Sequence, residues 1–144
     1  MKTGNIHFKP IGSFRKGIIT VKAPWAKGLK GIEGFSHLIV LFWLDKAHKP
    51  DLFIHPRGIK GIPKIGFLTT RTPHRPNPIG FTVVRLMKHK GAKLWVKGLD
   101  AWDGTPILDL KPYTKRETLK KFKIPGWVKK LDRRETDPLR RYGS

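Results

Sequence analysis

The residues best suited to chemistry form a polar segment between two apolar stretches, Arg71–Gly80 (RTPHRPNPIG). Its three prolines each fix the backbone φ angle and disfavour helix at the preceding residue, so a stiff, extended loop is expected. Such a loop loses little entropy when it holds side chains ready for a ligand. Hydrogen-bond donors are supplied by Arg71, His74, Arg75 and Asn77. The loop is predicted to bind an anion, a nucleoside or a carboxylate; the alternative is a rigid connector whose arginines bond backbone carbonyl groups.

A second polar segment, Asp100–Tyr113, holds three of the six acidic residues in positions 1–114. These carboxylates could pair with the arginines of the first loop, accept hydrogen bonds from ribose hydroxyls or stabilise a cationic ligand. Asp103 is open to both a functional and a structural interpretation, and the pair Asp103-Gly104 is also typical of a plain turn. For Asp109 the structural interpretation is favoured.

The third segment, Gly31–His37, leads into a long apolar run that ends at Trp43-Leu44-Asp45. Phe35 is predicted to belong to the core. Ser36 and His37 are neighbours on a predicted strand, where successive side chains point to opposite faces, so they are expected not to act on each other as nucleophile and base. Tryptophans could stack on bases, although a core position is favoured for each.

Short apolar runs bounded by glycine or proline favour strands over helices. Seven strands are predicted, at Ile6–Ile11, Gly17–Val21, Ser36–Leu44, Ile65–Thr70, Ile79–Lys88, Lys93–Gly98 and Ile107–Leu110. A mainly β fold follows, a small single-domain barrel or sandwich. A short helix is expected at Lys115–Lys123, and Lys129–Arg141 is expected to be a helix or an extended arm. Residues 1–114 should form the domain and 115–144 a basic extension.

The chain has 144 residues and a net charge of +21, which favours a nucleic-acid partner through the release of condensed counterions. A solvated basic surface and an acidic membrane surface are the alternatives. The absence of cysteine excludes disulfides, iron–sulfur clusters and cysteine nucleophiles. No apolar run is long enough to span a bilayer and no signal-peptide pattern is present, so a cytoplasmic protein is expected.

Several familiar site motifs are missing. The sequence has no GxG and no GK[ST], so the fingerprints of dinucleotide-binding and P-loop sites are absent. Its six histidines lack HExxH spacing, and no metal site is expected.

Together, Glu33–His37, Arg71–Gly80 and Asp103–Tyr113 resemble the TsaA/TrmO family, over roughly residues 6–114. The resemblance implies a small β-barrel that binds S-adenosylmethionine and works as a homodimer. It also implies a tRNA methyltransferase acting on N6 of N6-threonylcarbamoyladenosine, beside the anticodon on its 3′ side. The fold expected from the resemblance is therefore the barrel.

The family's cofactor contacts fall on Leu44, Asp45, Arg71, Phe81, Ala101, Trp102, Asp103 and Gly104. Many members have an aromatic–His pair where this chain has Leu44-Asp45, and a Pro-Arg-Gln motif near the N-terminus where it has Phe14-Arg15-Lys16. Arg71 is expected to bind the cofactor's carboxylate, and Asp45 or Asp103 to lie near its sulfonium, ribose or amino group. Target-orienting catalytic residues are expected at Arg75, Asn77 and Tyr113, and tRNA phosphates are expected to bind the basic extension.

Three functions follow from these observations. The first is the tRNA methyltransferase, with S-adenosylmethionine as cofactor, tRNA as partner, and neither metal nor membrane. The second is a non-catalytic S-adenosylmethionine-binding regulatory protein, which the missing Pro-Arg-Gln motif favours. The third is a nucleic-acid-binding barrel without methyl chemistry.

Overall fold

A closed barrel of six antiparallel strands is the main feature of the chain, in a computed structural model that describes residues 4–56 and 61–134. The strand order around the barrel is β1-β2-β7-β6-β3-β8, and β4 pairs with β5 in a separate two-stranded sheet. The mainly β barrel predicted from the sequence is therefore confirmed. The elements are β1 (Gly12–Arg15), β2 (Ile18–Val21), β3 (His37–Trp43), β4 (Phe53–Ile54), β5 (Ile65–Gly66), β6 (Ile79–Lys90), β7 (Lys93–Lys97), β8 (Thr105–Pro112) and helix α1 (Gly126–Arg134).

Two compact units divide the described residues. The first is the barrel, built from the described parts of Met1–Asp45 and Ile79–Tyr113. The second comprises the described parts of Lys46–Pro78 and Thr114–Ser144, with the β4–β5 sheet and α1. The chain thus leaves the barrel after Asp45 and returns to it at Ile79. The division at residue 114 predicted from the sequence stays a prediction about domains, although the last barrel strand does end at Pro112.

The barrel interior is filled by alternate residues of its strands, as a half-buried strand requires. In β3 the side chains of Leu38, Val40 and Phe42 are fully buried. Ile19 and Leu94, which face each other across β2 and β7, are fully buried as well. Full burial of such a side chain contributes about 1.5–3 kcal/mol of transfer free energy. The apolar core therefore fixes the strand register on which the candidate site residues of the barrel depend.

The predicted first strand, Ile6–Ile11, is wrong, because β1 begins only at Gly12. Ile6 and Phe8 are exposed, so only Ile11, at the end of this stretch, packs against the core. Pro10 has no N–H to donate to a ladder. At Gly12 the backbone of Thr20 on β2 lies so close that a Cβ atom would collide with it. The strand begins where a glycine allows this approach.

Three further predictions were corrected by local hydrogen bonding. Ile65–Thr70 is a strand only over β5; Phe67–Thr69 forms a 3-10 turn, closed by the hydroxyls of Thr69 and Thr70 donating to carbonyl groups. The helix expected at Lys115–Lys123 is a single 3-10 turn, Lys115–Glu117, capped reciprocally by Thr114. Helix α1 begins at Gly126, earlier than the predicted Lys129–Arg141, whose residues 135–141 lie outside the described part.

Close packing against the barrel core explains why the RTPHRPNPIG segment ends in a glycine, Gly80. A Cβ atom there would collide with the ring of Phe42, which is fully buried and lies opposite Gly80 across β3 and β6. A buried ring cannot move aside without disturbing the neighbouring core residues.

We therefore expect Gly80→Ala to lower the free energy of unfolding by about 1–3 kcal/mol, the usual effect of overpacking a core. Chemical denaturation followed by circular dichroism measures the change. Gly28→Ala is the matched control, because nothing lies within 4 Å of the added Cβ there. Equal stability of the two variants would contradict the packing described here.

Candidate functional site

One end of the barrel gathers most of the residues predicted to bind a cofactor. Because β3 is antiparallel to both β6 and β8, its last residues lie beside the first residues of those two strands. Leu44 and Asp45 follow β3, while the loop of residues 98–104 leads into β8 at this same end. Phe81 lies two residues into β6, opposite Leu41 on β3, and its ring is 53% exposed. The fold therefore places these residues at the same end of the barrel, and their role in cofactor binding stays a prediction.

The loop before β8 is a tight turn that leaves a tryptophan at the surface. Gly104 has φ of 89°, in the left-handed region that favours glycine, and its N–H donates to the carbonyl oxygen of Phe14 at 2.8 Å. The hydroxyl and N–H of Thr105 both donate to the carbonyl oxygen of Trp102, at 2.6 and 3.1 Å. The predicted Asp103-Gly104 turn is confirmed. Trp102 is 65% exposed, so most of its side chain lies outside the core.

Asp103 ties this turn to the β1–β2 connection. Its Oδ1 accepts a hydrogen bond of 2.8 Å from the backbone N–H of Lys16. Lys16 has φ of 47°, an uncommon conformation for a residue other than glycine, and the bond to a carboxylate helps to stabilise it. This is the stretch in which the sequence departs from the Pro-Arg-Gln motif. Asp103 therefore has a structural role here, whatever its role toward a ligand.

Asp109 also has a structural partner of its own. Its carboxylate binds the Lys111 ammonium at 2.9 Å and accepts the N–H of Leu110 at 2.9 Å. The structural interpretation favoured from the sequence agrees with these contacts, although the partner is a neighbouring lysine and not an arginine of the polar loop.

In the second unit, Arg75 stabilises the proline-rich loop from within. Its Nη1 donates to the carbonyl oxygens of Thr70 and Thr72, at 3.0 and 3.2 Å, and its guanidinium lies 5.7 Å from the centroid of the Phe67 ring. For Arg75 the structure therefore agrees with the alternative interpretation, a rigid connector whose arginines bond backbone carbonyl groups. Arg71 and Asn77 are exposed on the same loop, where their donors face solvent. The expected binding role therefore falls more naturally on these two side chains than on Arg75.

His74 joins the loop to a second histidine, a contact that the sequence did not predict. The rings of His48 and His74 are stacked, with centroids 3.2 Å apart and planes 14° apart. The backbone N–H of His48 donates to His74 Nδ1 at 3.1 Å. Nδ1 of His74 is thus an acceptor, which leaves Nε2 to carry the proton of the neutral ring. Nothing in a spacing of 26 residues signals such a pair.

The charge states of two histidines are shifted in opposite directions. Burial, and then the neighbouring His48, lower the pKa of His74, while Asp51 opposes this shift. In the barrel, His89 donates from Nδ1 to Glu33 at 3.0 Å and from Nε2 to the Gly91 carbonyl at 2.8 Å. Both ring nitrogens are donors only in the imidazolium. The bond to Glu33 accordingly raises the pKa of His89.

Tyr113 lies at the other end of the barrel from Asp103. Its N–H donates to the carbonyl oxygen of His37 at 3.2 Å, and the two rings meet edge to face with centroids 6.3 Å apart. The eight residues of β8 lie between Tyr113 and the Asp103 turn, and the strand alone is about 23 Å long from Thr105 to Pro112. Within one chain the structure does not bring Tyr113 to the cofactor residues, and its expected catalytic role stays a prediction.

The same end of the barrel holds Ser36 and His37, which correct a sequence prediction. Ser36 Oγ and His37 Nδ1 are hydrogen-bonded at 2.7 Å, because Ser36 precedes β3 and does not follow strand alternation. Phe35, predicted to be core, is 37% exposed.

Among residues 4–56 and 61–134, no group of three His, Asp or Glu side chains is arranged to hold a metal ion. In that same part of the chain, no helix is both long and apolar enough to cross a membrane.

In a titration followed by NMR of the imidazole protons, we expect His89 to protonate above its ordinary pKa of 6.5 and His74 below it. Glu33→Gln should lower the pKa of His89 and leave that of His74 unchanged. Since the pKa of His89 is raised in the folded state, its stabilising contact is present below pH 6.5 and lost as the pH rises through the folded pKa. The reverse order of titration would contradict the two sets of contacts.

Comparison with known proteins identifies the family. Residues 10–117 match the family model of the tRNA-methyltransferase O N-terminal domain. A probable S-adenosyl-L-methionine-binding protein of Archaeoglobus fulgidus is 44% identical over 124 residues, covering 84% of this chain and 33% of its own. A mouse tRNA (adenine(37)-N6)-methyltransferase is 42% identical over 87 residues, which are 59% of this chain and 20% of the relative.

The solved structures agree with the sequence relatives. The crystal structure of TrmO from Pseudomonas aeruginosa superimposes with a TM-score of 0.66 at 27% identity, covering 83% of this chain and 62% of that one. This chain therefore spans between one third and about two thirds of the length of the first relatives it matches. The match over residues 10–117 includes all eight barrel-and-sheet strands, and on that basis the chain belongs to the tRNA-methyltransferase O N-terminal domain family.

Proposed function

We propose that this chain is an S-adenosylmethionine-dependent tRNA methyltransferase that methylates N6 of N6-threonylcarbamoyladenosine beside the anticodon. Family membership and the mouse relative, named as a tRNA (adenine(37)-N6)-methyltransferase, support an adenine N6 target in tRNA. The observation that carries the proposal is the barrel end at which the fold collects an exposed indole and two carboxylates, at Trp102, Asp103 and Asp45. A tRNA substrate also suits the net charge of +21, and the proposal includes a cytoplasmic location.

The residue types at this end fit S-adenosylmethionine, which supplies a methyl group on a positively charged sulfur. The exposed rings of Trp102 and Phe81 offer flat apolar faces of the kind on which adenine stacks. Asp45 and Asp103 are carboxylates, suited to ribose hydroxyls, an ammonium group or a sulfonium. Arg71 is not part of this barrel end, because it is exposed on the proline-rich loop of the second unit. A guanidinium binds a carboxylate in bidentate fashion, so Arg71 is our candidate for the amino-acid carboxylate of the cofactor. Leu44, Ala101 and Gly104 would contribute the walls and backbone of the site.

Methyl transfer requires placement more than it requires strong acid–base groups. Asn77 has both donors and an acceptor on an exposed amide, which suits it to hold the target base. Arg75, occupied by two carbonyl groups and a phenyl ring, acts as a positioning residue that keeps this loop rigid. The threonyl carboxylate of the target would be favoured by the basic surroundings. Tyr113 remains our third candidate for orienting the target.

A homodimer is part of the proposal, and the outer face of β6 supports it. Its first half presents Ile79, Phe81 and Val83, three large apolar side chains that are exposed on alternate residues. Their direct partners on β3 are Trp43, Leu41 and Ile39. Trp43 and Leu41 are partly exposed and extend the apolar face, whereas Ile39 is 6% exposed and is already covered within the chain. A contiguous apolar face of this kind is typical of a surface that a protein partner covers.

A second candidate function is a non-catalytic S-adenosylmethionine-binding regulatory protein. It is favoured by the engagement of Arg75 within its own loop, and by Lys16 and Asp103 bonding to each other where the Pro-Arg-Gln motif is missing. Both candidates require cofactor binding, so they differ only in the transfer of a methyl group.

Cofactor binding is tested by isothermal titration of the full chain with S-adenosylmethionine. We expect Arg71→Ala to weaken binding by about tenfold or more, because a hydrogen bond to a charged group contributes about 1.5–3 kcal/mol. Arg116→Ala, which removes another exposed arginine, serves as the control. Equal affinities of the two variants would contradict the role given to Arg71.

Catalysis is tested by incubating the chain with labelled S-adenosylmethionine and tRNA that carries N6-threonylcarbamoyladenosine, followed by nucleoside mass spectrometry. The expected product is the same nucleoside with one added methyl group. Asn77→Ala should lower kcat by at least tenfold while cofactor affinity stays unchanged, and Asn5→Ala should keep wild-type turnover. Cofactor binding without methylation of any tRNA would favour the regulatory protein instead.

A further inference from the structure

The β6–β7 hairpin carries a strip of positive charge that the proposed site does not use. Residues 79–97 contain no acidic residue. Five cationic side chains of the hairpin are exposed, at Arg85, Lys88, Lys90, Lys93 and Lys97. The strip extends over about 17 Å between Arg85 and Lys90, since each strand residue adds about 3.3 Å.

The register of the hairpin sets like charges directly against each other. Arg85 is the partner of Lys97, and Lys90 is the partner of Lys93. Directly opposed like charges destabilise an antiparallel pair. Glu33 lies beside this strip, but its carboxylate pairs with His89 and does not compensate the charge of the lysines. The hairpin therefore retains an arrangement that lowers its own stability, which is the behaviour expected of a binding surface.

An irregularity in β6 adds a further cation to the outer face. The pairing register shifts between Leu86 and Lys88, and Met87 and Lys88 are both exposed although they are consecutive residues. In regular alternation one of the two would point inward. The Lys88 ammonium lies 4.8 Å from the centroid of the Trp95 ring on β7, so an aromatic face lies within the strip.

The outer face of β6 is thus divided into two surfaces. Its first half, Ile79 to Val83, is apolar, and its second half, from Arg85 onward, is cationic. Pairs of cationic side chains spaced along a rigid hairpin match a row of phosphates. When they neutralise the phosphates, they release the counterions condensed on the nucleic acid. A bilayer surface would require apolar side chains that enter the lipid, and beyond Arg85 the strip offers Met87 as the exposed large hydrophobic residue of the hairpin.

We propose that the outer face of the β6–β7 hairpin, at Arg85, Lys88, Lys90, Lys93 and Lys97, binds the phosphate backbone of tRNA. The choice of tRNA as the polyanion rests on the proposed function. The surface lies within the barrel unit and is distinct from the basic extension to which the sequence assigned this task. It contributes affinity and orientation without reading base identity.

The test measures the affinity of the full chain for fluorescently labelled bulk tRNA over a series of salt concentrations. The variant Lys90→Gln/Lys93→Gln removes one opposed pair, and Arg85→Gln/Lys97→Gln removes the other. The control, Lys9→Gln/Lys27→Gln, removes two exposed lysines outside the hairpin. Each hairpin variant should bind tRNA about tenfold more weakly at low salt and reduce the slope of log K against log salt by about 2, one for each phosphate contact. The melting temperature of the hairpin variants should equal or exceed that of the wild type, because a repulsion has been removed.

The outcomes separate the surface from the proposed function. Hairpin variants that match the control in affinity and slope, while wild-type tRNA binding is intact, overturn the surface and leave the methyltransferase proposal standing. Hairpin-dependent tRNA binding by a chain that transfers no methyl group supports the surface and overturns the methyltransferase. Wild-type chain that fails to bind tRNA overturns both. Equal loss of binding to phosphatidylserine vesicles in the same variants would overturn the surface in favour of a membrane partner.

Discussion

The pairing of β3 with β6 on one side and with β8 on the other determines where the candidate residues of the barrel lie. Its antiparallel register, anchored by Leu38, Val40 and Phe42 in the core, puts Asp45 beside the start of both neighbouring strands. Because the strands are antiparallel, β6 and β8 end at the opposite end of the barrel, and Tyr113 lies there beside His37. A slip of one residue would exchange the buried and exposed faces, and neither end of the barrel would keep its polar groups.

Glycine and carboxylate residues then shape the end that we assign to the cofactor. Gly80 admits the Phe42 ring, and Gly104 permits the turn that exposes Trp102. Asp103 holds that turn against the backbone of Lys16. In the second unit, Arg75 stabilises the proline-rich loop in a similar way, because its guanidinium donates to the carbonyl oxygens of Thr70 and Thr72. Several residues of the polar motifs thus stabilise local structure so that their neighbours stay exposed.

The sequence predicted most of the strands because apolar alternation is a local property that short windows record. Alternation left a barrel and a sandwich open, and the resemblance to the family decided for the barrel. Sequence prediction failed at Ile6–Ile11, where Ile6 and Phe8 are exposed, and at Lys115–Lys123, where Thr114 and Glu117 close a single turn. The pairing of Ser36 with His37 required the true start of β3, and the stacking of His48 on His74 required the tertiary fold. The motifs identified the family, but only the structure showed that Tyr113 and Asp103 lie at opposite ends of one barrel.

The positive charge of this chain is not evenly distributed over the barrel, since the outer face of β6 changes from apolar to cationic at Arg85. A cofactor at the Asp45 end, an apolar face for a second copy and a cationic hairpin for RNA would occupy separate parts of one barrel. The most direct test is a crystal structure of the full chain grown with S-adenosylmethionine. Density for the cofactor in contact with Trp102, Asp103 and Asp45 is the predicted result. Cofactor bound instead beside Ser36, His37 and Tyr113 of the same chain, without contact to those three residues, would contradict it.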